Sequence, residues 1–531
     1  MHALSYNFVG KNTNYGPENY PTRQDSTNLT THGNACAGLA AGSRNTSIDC
    51  QPCGCGVAPD ASIAVLKVGT VLEKTFSTTR PQSEMNTESL CTALAHRGDD
   101  IHIYSNSWNF EQQFHNDSCL HDVIKKRYYT GRNGKGSIYV FPADPPGNGL
   151  VNNIYTIAVG DMGVGGTLPD NPQVNSAVIV SMFASGRKIN DTRLLTETHT
   201  GCIRNRFSPC QRNFRGQSAA NAMVAGVIAL LLQNNPNLTT REVKHVLVES
   251  ASHIGIEQAS AFKMNGAGKY YHKVLGFGYP NVKKMIMLSQ NFTALRPLLS
   301  KQFKLDVAGN TATGVILSEN INKVEQVEFI LTFDFERNDN VSMEATSPDL
   351  TSSMLFENVI MPADKNTMKT KLITNHFWGE DPTGNWTLRV FSQHGTLYAT
   401  IKVKEAHVLI YGTGNNTGST TDAVHYIDGG NTSGTVDNVG SQHVNHILNA
   451  TENKTDVNRN IIIGVVVSVI VIIIIIIIIV IVLKVRYIRY ERLQKGNTAE
   501  KSEEELKTTQ KMILSSSILV SKQLKDTESS L

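Results

Sequence analysis

Several things that would mark a function class at once are missing from this chain of 531 residues. It has no charge excess: the formal net charge is +3 and only 18% of residues are charged. A nucleic-acid binder built on phosphate neutralisation needs a cationic stripe, so nucleic acid is excluded as a partner. Its opening residues, "MHALSYNFVGKNTN", carry neither a basic start nor an apolar stretch and do not read as a signal peptide. Cysteine is sparse, with eight in all, and no Cys/His pair follows "CQPCGC" at zinc-finger spacing. That cluster therefore reads as disulfide material rather than a metal knuckle.

One feature is present in excess. From Ile461 to Leu483 runs "IIIGVVVSVIVIIIIIIIIVIVL", without a single charge. A helix rises ~1.5 Å per residue, so this stretch is long enough for a hydrocarbon core of ~30 Å. A soluble helix is seldom apolar on every face, and the expectation is one membrane span. Lys484, Arg486, Arg489, Arg492 and Lys495 crowd its far side, which puts that side in the cytoplasm. N-x-S/T sequons run from Asn28 to Asn453 with none after the span, and every cysteine precedes it. Both distributions suit an ectodomain in an oxidising, glycosylating compartment. Such a type I protein needs a leader, so Met1 is expected not to be the native start.

Residues 1–296 alternate short apolar runs with helical patterns. "ASIAVLKVG" (61–69), "IHIYSNSW" (101–108), "GSIYVFPA" (136–143) and "NIYTIAVG" (153–160) read as buried strands of a parallel sheet covered on both faces. Thr239 with Glu242 forms a capping box ahead of Val243, Val246 and Leu247, which places a helix there. The expectation is an α/β domain. Residues 297–412 change to short alternating strands, as in "VEQVEFILTFDF" and "NWTLRVFS", and read as an antiparallel sandwich or jelly roll. Residues 413–460 are rich in Gly, Ser, Thr and Asn and read as a glycosylated stalk; residues 484–531 form a short polar tail.

Chemistry is concentrated around "FRGQSAANAMVAG" (214–226), where Ser218 precedes a long apolar run. A serine nucleophile needs a base, a group orienting the base, and an oxyanion hole. His32 in "THGNACAGLAAG" is the candidate base, with small residues that allow a close-packed helix start; His199 in "TETHTG" lacks that context. Read alone, Ser218 is better taken as a small residue for close packing, and His32 as a helix-start histidine satisfied by the backbone.

Together, "HGNACAG" and "GQSAANAMVAG" resemble the His and Ser motifs of subtilisin-like serine proteases. The nearer likeness is to the furin and kexin branch, the proprotein convertases. "IHIYSNSW", "GSIYVF", "NLTTREVKHVLVESAS" and "HKVLGFGYPNV" are similar to stretches of that branch, and "HFWGEDPTGNWTLRV" (376–390) resembles the turn of its P domain. The resemblance implies a subtilisin-like α/β fold with a β-sandwich P domain, an Asp–His–Ser triad, and cleavage of proproteins in the secretory pathway or at the cell surface. His32 falls on the base and Ser218 on the nucleophile. Cys53 and Cys210 fall on a disulfide pair, and structural calcium is implied as a cofactor.

The chain departs from that pattern in several places. Only 31 residues precede His32, and their carboxylates Glu18 and Asp25 lack the strand context of the family's triad Asp. The oxyanion asparagine falls on Asn148 if Asp144 to Pro146 are an insertion, and on Pro145, which has no donor, if they are not; Asn148 is the candidate. Gln217 and Ala222 stand where the family has Thr and Pro. Gln112, beside Glu111, stands where the branch has a carboxylate for basic side chains, and Gln173 replaces a calcium-site carboxylate. In the tail, Tyr490 and Leu493 of "YERL" fit a tyrosine-based sorting pattern read by adaptors, and "EKSEEEL" resembles an acidic cluster. Two expectations stand: a membrane-anchored serine endopeptidase, and a catalytically impaired pseudoprotease kept as a binding or chaperone module.

Overall fold

The computed structural model describes residues 4–8, 32–44, 54–71, 83–110, 112–143, 146–184, 194–197, 210–318, 320–392 and 401–414. All lie in the first of two compact units, Met1–Ile427. Among them no helix is long and apolar enough to cross a membrane; the Ile461–Leu483 run, the stalk, the tail with Tyr490 and Leu493, Cys53, Glu111 and His199 lie outside the described residues.

The first half of the unit contains β1 (Tyr6–Asn7), α1 (His32–Ala41), β2 (Leu66–Lys67), β3 (Thr70–Val71), β4 (Ser83–Glu84), α2 (Thr87–Ala95), β5 (Ile103–Ser105), α3 (Ser118–Thr130), β6 (Ile138–Pro142), β7 (Thr156–Met162) and β8 (Val178–Phe183). It continues with the antiparallel pair β9 (Leu194–Glu197) and β10 (Cys210–Phe214), then α4 (Gln217–Asn234), α5 (Thr240–Ser250), the hairpin β11 (Lys263–Met264) and β12 (Tyr270–Tyr271), and α6 (Val282–Gln290). Strands β5, β6, β7 and β8 lie side by side in that order, all parallel. Every residue of β6 is buried, and its alternation separates two cores. Ile138 and Val140 join α1, α4 and α5 on one face, while Tyr139 and Phe141 join α2 and α3 on the other.

The parallel sheet covered on both faces is as the sequence suggests, with two differences. Residues 61–69 contribute only the two-residue β2, half-buried and paired with β1 rather than with the four-stranded sheet. The run "VIVSMF" supplies β8, a central-sheet strand that the pattern reading passed over. The Thr239–Glu242 capping box forms as expected: Thr239 Oγ1 accepts from the Glu242 N–H at 3.2 Å, and Glu242 Oε2 accepts from the Thr239 N–H at 2.8 Å.

The second half is all β: β13 (Leu299–Ala308), β14 (Thr311–Ile316), β15 (Lys323–Asp334), β16 (Asn340–Thr346), β17 (Ser352–Ile360), β18 (Thr367–Thr374), β19 (Gly384–Ser392) and β20 (Lys402–Thr413). They pair antiparallel in the order β17-β16-β19-β14-β13-β20-β15-β18. Strand β13 pairs with β20 through Leu305 and with β14 from Asp306, so it passes from one layer of the sandwich to the other. Trp386, Phe329, Phe333, Phe356 and Phe377 fill the shared core.

The two halves meet in a polar seam. Arg241 on α5 donates twice to Glu325 of β15, at 2.9 and 2.5 Å. Asn265 Nδ2 donates to the carbonyls of His376 and Trp378, and Trp378 itself enters the α/β core. These contacts hold the P-type turn of residues 376–386 against the α/β half. A buried amide or carboxylate left unpaired there costs more than a surface one, so the seam fixes the register of the two halves.

Candidate active site

Ser218 sits in the first turn of α4, after Gly216, whose φ of 90° favours glycine because a Cβ there would strain the backbone. His32 opens α1. The two helices pack so closely that a Cβ on Gly226 would lie 2.7 Å from both the Ala40 carbonyl oxygen and Val57 Cβ. This close approach brings the two helix starts together. The His32 ring lies edge-on to Phe214, centroids 5.4 Å apart, and Cys36 Sγ stands 4.0 Å from His32 Nδ1 and 3.9 Å from the Ser218 carbonyl. Burial lowers the pKa of His32, favouring the neutral imidazole that a general base must be. Burial pushes the Cys36 thiol up to about 11, so it stays protonated and is no thiolate nucleophile.

The Ser218 hydroxyl is not directed at His32. Its Oγ–H donates to the Ser107 carbonyl at 3.2 Å, while Ser107 Oγ–H donates back to the Ser218 carbonyl at 2.9 Å. Asn221 Nδ2 donates to Ser107 Oγ at 3.3 Å, and its Oδ1 is buried without a partner. Among the described residues no carboxylate bonds to His32, so the orienting member of a triad is not among them.

Asn148 is fully buried in the turn after β6. Its Oδ1 accepts from the Leu150 N–H at 2.9 Å, and its carbonyl accepts from the N–H groups of Val151 and Asn152. That fixes the amide and leaves Nδ2 buried with no acceptor. An unpaired buried donor is unusual, and an oxyanion donor awaiting its acceptor has this character.

Sequence reasoning named His32, Ser218 and Asn148; it did not name Cys36, Ser107 or Asn221, which the structure places beside Ser218 or His32. Asn221 left a signal, as a polar residue inside the otherwise apolar "AANAMVAG", and Cys36 left another, one turn after His32. The backbone of Cys210 belongs to β10, but Cys53 lies outside the described residues, so their bridge is untouched by the structure. A different bridge is present: Cys91 of α2 joins Cys119 of α3, while Cys36 and the exposed Cys55 are free. Gln112 and Gln173 form no carboxylate cluster. Among the described residues the only group spaced for a metal is Cys91, Asp117 and Cys119. Two of its ligands are consumed by the disulfide, so it does not fit the all-oxygen shell of calcium.

The fold agrees with comparison to known proteins. The subtilase family matches residues 3–278, and the proprotein convertase P-domain matches residues 324–405. Proprotein convertase subtilisin/kexin type 5 of Rattus norvegicus is 27% identical over 424 residues, covering 74% of this chain. Furin of Rattus norvegicus is 26% identical over 385 residues, covering 68% of this chain and 45% of furin. The chain spans 22% of the length of the first of these relatives. Among solved structures, the serine protease of Aeromonas sobria in complex with its chaperone superposes with a TM-score of 0.62 at 17% identity, over 77% of this chain and 84% of that one. Two family models in succession, the first over half of the chain, and a shared fold place it plainly: the chain belongs to the subtilase family, in the furin/kexin-like branch that carries a P domain.

Proposed function

We propose that this protein is a membrane-anchored serine endopeptidase of the proprotein convertase type, acting on proprotein or peptide substrates in the secretory pathway or at the cell surface. The observation that carries the reading is Asn148 Nδ2, a donor left without a partner beside a tight turn, as an oxyanion donor is before its substrate arrives. Ser218 Oγ attacks the scissile carbonyl, and His32 takes its proton and returns it to the leaving amine. The oxyanion is held by Asn148 Nδ2 and the Ser218 N–H at the start of α4, where the helix dipole favours negative charge. For this the Ser218 hydroxyl must swing from the Ser107 carbonyl to His32, a χ1 rotation.

The organisation that goes with this reading is a subtilisin-like domain over residues 1–296, a P domain over 297–412, a glycosylated stalk, a span over Ile461–Leu483, and a cytoplasmic tail whose Tyr490 and Leu493 engage sorting adaptors. A carboxylate on His32 Nδ1 comes from outside the described residues, and calcium from sites outside them. One observation favours a second reading: the reciprocal Ser107–Ser218 bonds hold the nucleophile away from its base, as a pseudoprotease serving as a binding module would tolerate.

A fluorophosphonate probe applied to the full-length protein separates the two. Labelling that disappears in Ser218→Ala and His32→Ala establishes the hydrolase. A folded, unlabelled wild-type protein overturns the hydrolase reading and leaves the binding module.

A further inference from the structure

The turn that carries Asn148 is clamped from the side by residues 112–116, and that clamp reaches the β sandwich. Gly147 has φ of 76°, and a Cβ placed on it would collide with the Phe114 ring. The Gly149 N–H donates to the His115 carbonyl at 2.8 Å, and a Cβ on Gly149 would lie 2.5 Å from Asn116 Oδ1. Both glycines flanking Asn148 are therefore pressed by the same short segment. On its other side the Phe114 ring meets Phe356 of β17 edge to face, centroids 5.4 Å apart, and Phe356 is fully buried in the sandwich core. Phe114 holds φ at 54°, a left-handed conformation that a bulky side chain adopts only when its surroundings compel it.

We propose that Phe114 is a positioning residue that transmits the placement of the P-domain strand β17 to the oxyanion donor Asn148. The sandwich core fixes Phe356, Phe356 fixes the Phe114 ring, and the ring with the His115 carbonyl fixes the Gly147–Gly149 turn. An oxyanion donor acts at a hydrogen-bond distance of ~2.7–3.1 Å with a tolerance of a few tenths of an ångström, so a turn that relaxes by about 1 Å loses its effect without unfolding anything. The inference rests on the oxyanion role given to Asn148 above.

Two substitutions separate this from ordinary packing. Phe114→Ala removes the ring and keeps the strained backbone, whereas Phe114→Gly removes the ring and relieves the strain. Amide hydrogen exchange on the full-length protein reads the turn directly, and fluorophosphonate labelling and peptide cleavage read its consequence. Both variants are expected to lose protection at residues 147–152, to slow labelling by between about 10-fold and the 10²–10³-fold of outright donor removal, and to lose kcat with KM held. Phe114→Tyr, which keeps the ring, restores both readouts. Phe356→Leu alone should loosen the same turn, and adding it to Phe114→Ala should add little. Unchanged protection at 147–152 in both ring-less variants overturns the proposal, as does a KM effect with kcat intact. If wild type is unlabelled, the proteolytic reading falls, and the exchange readout still decides whether Phe114 holds the turn. If the ring-less variants do not fold, Phe114→Leu supplies the same comparison.

Discussion

Glu325 is the member of the seam whose removal has the largest calculable consequence. Its side chain is 6% exposed, receives two bonds from Arg241, and lies 3.2 Å from His245 Nε2. Burial alone would raise its pKa, but the bonds from Arg241, with His245 close by, overcome that and lower it from 4.5 to about 2. At 1.36 kcal/mol per tenfold change in proton affinity, that difference corresponds to about 3 kcal/mol of stability at neutral pH. Breaking a buried pair from one side costs ~3–5 kcal/mol by the independent route of mutagenesis, so the two figures agree. Because the folded pKa lies below the unfolded one, this stabilisation is complete above pH 4.5 and disappears as pH falls through about 2. Glu325→Gln keeps the shape and one acceptor for Arg241 but leaves Arg241, Lys244 and His245 without an anion. Urea unfolding of the full-length protein at pH 7 should show a loss of about 3 kcal/mol, which shrinks toward zero as the pH is lowered from 4.5 to 2. A loss below about 1 kcal/mol, or one of the same size at every pH, would mean that the seam behaves as a solvated surface pair and would refute the reasoning.

Three further outcomes follow from other sites. Gly226→Ala puts a methyl 2.7 Å from the Ala40 carbonyl and Val57, so it should force α1 from α4, destabilise by ~1–3 kcal/mol, and slow labelling of Ser218 disproportionately, measured by melting temperature beside probe kinetics. Lys244 is 2% exposed, and burial, partly countered by Glu325, takes its pKa down to about 7. The unfolded chain therefore holds that proton up to 10.5, wild-type stability should rise between pH 7 and 10.5, and Lys244→Met should flatten that rise in a pH series of unfolding curves. Burial likewise lowers His272 to about 4 and His376 to about 3, keeping both rings neutral. Stability should fall as pH drops from 6.5 toward those values, and His376→Phe should blunt the fall, provided the ring stack on Tyr271 survives.

How much of this was readable in the sequence depended on whether the signal was local. The capping box of α5 was legible because Thr239 and Glu242 satisfy each other within one turn. The strands β6 and β7 were legible because burial on both faces makes them apolar without a break. By the same measure residues 61–69 looked like a strand, yet they yield only β2. A strand exists by virtue of its partner, and the partner here is the two-residue β1. His32 and Ser218 could be named from their small-residue helix starts, whereas the Cys91–Cys119 bridge could not, because pairing among eight cysteines depends on contacts formed only after folding. Asn148 sits between these cases. The family resemblance named it, against Pro145, but that its amide would be left with a free donor depends on Leu150, Phe114 and His115 together.

The Ser107–Ser218 pair bears on what the hydroxyl at the head of α4 is for. The bonds are reciprocal and purely side chain to main chain, so they hold the start of α4 against the segment after β5 whatever the chemistry of Ser218. A structural serine would be content there, since its only donor is used. A nucleophile needs that donor free, and the cost of breaking one neutral bond in a part-buried site is about 1 kcal/mol, a small fraction of a catalytic barrier. Ser218→Ala removes one of the two bonds and leaves the Ser107 donor in place, so it should cost little stability. Ser107→Ala leaves the Ser218 hydroxyl bonded to the Ser107 backbone and removes the partner of Asn221 Nδ2, leaving both polar atoms of that buried amide unpaired. The larger loss should therefore fall on Ser107→Ala, by about 1–3 kcal/mol in thermal or urea unfolding. If Ser218→Ala proves the more damaging of the two, the hydroxyl at 218 is a structural latch, and the case for a nucleophile at the head of α4 loses its footing.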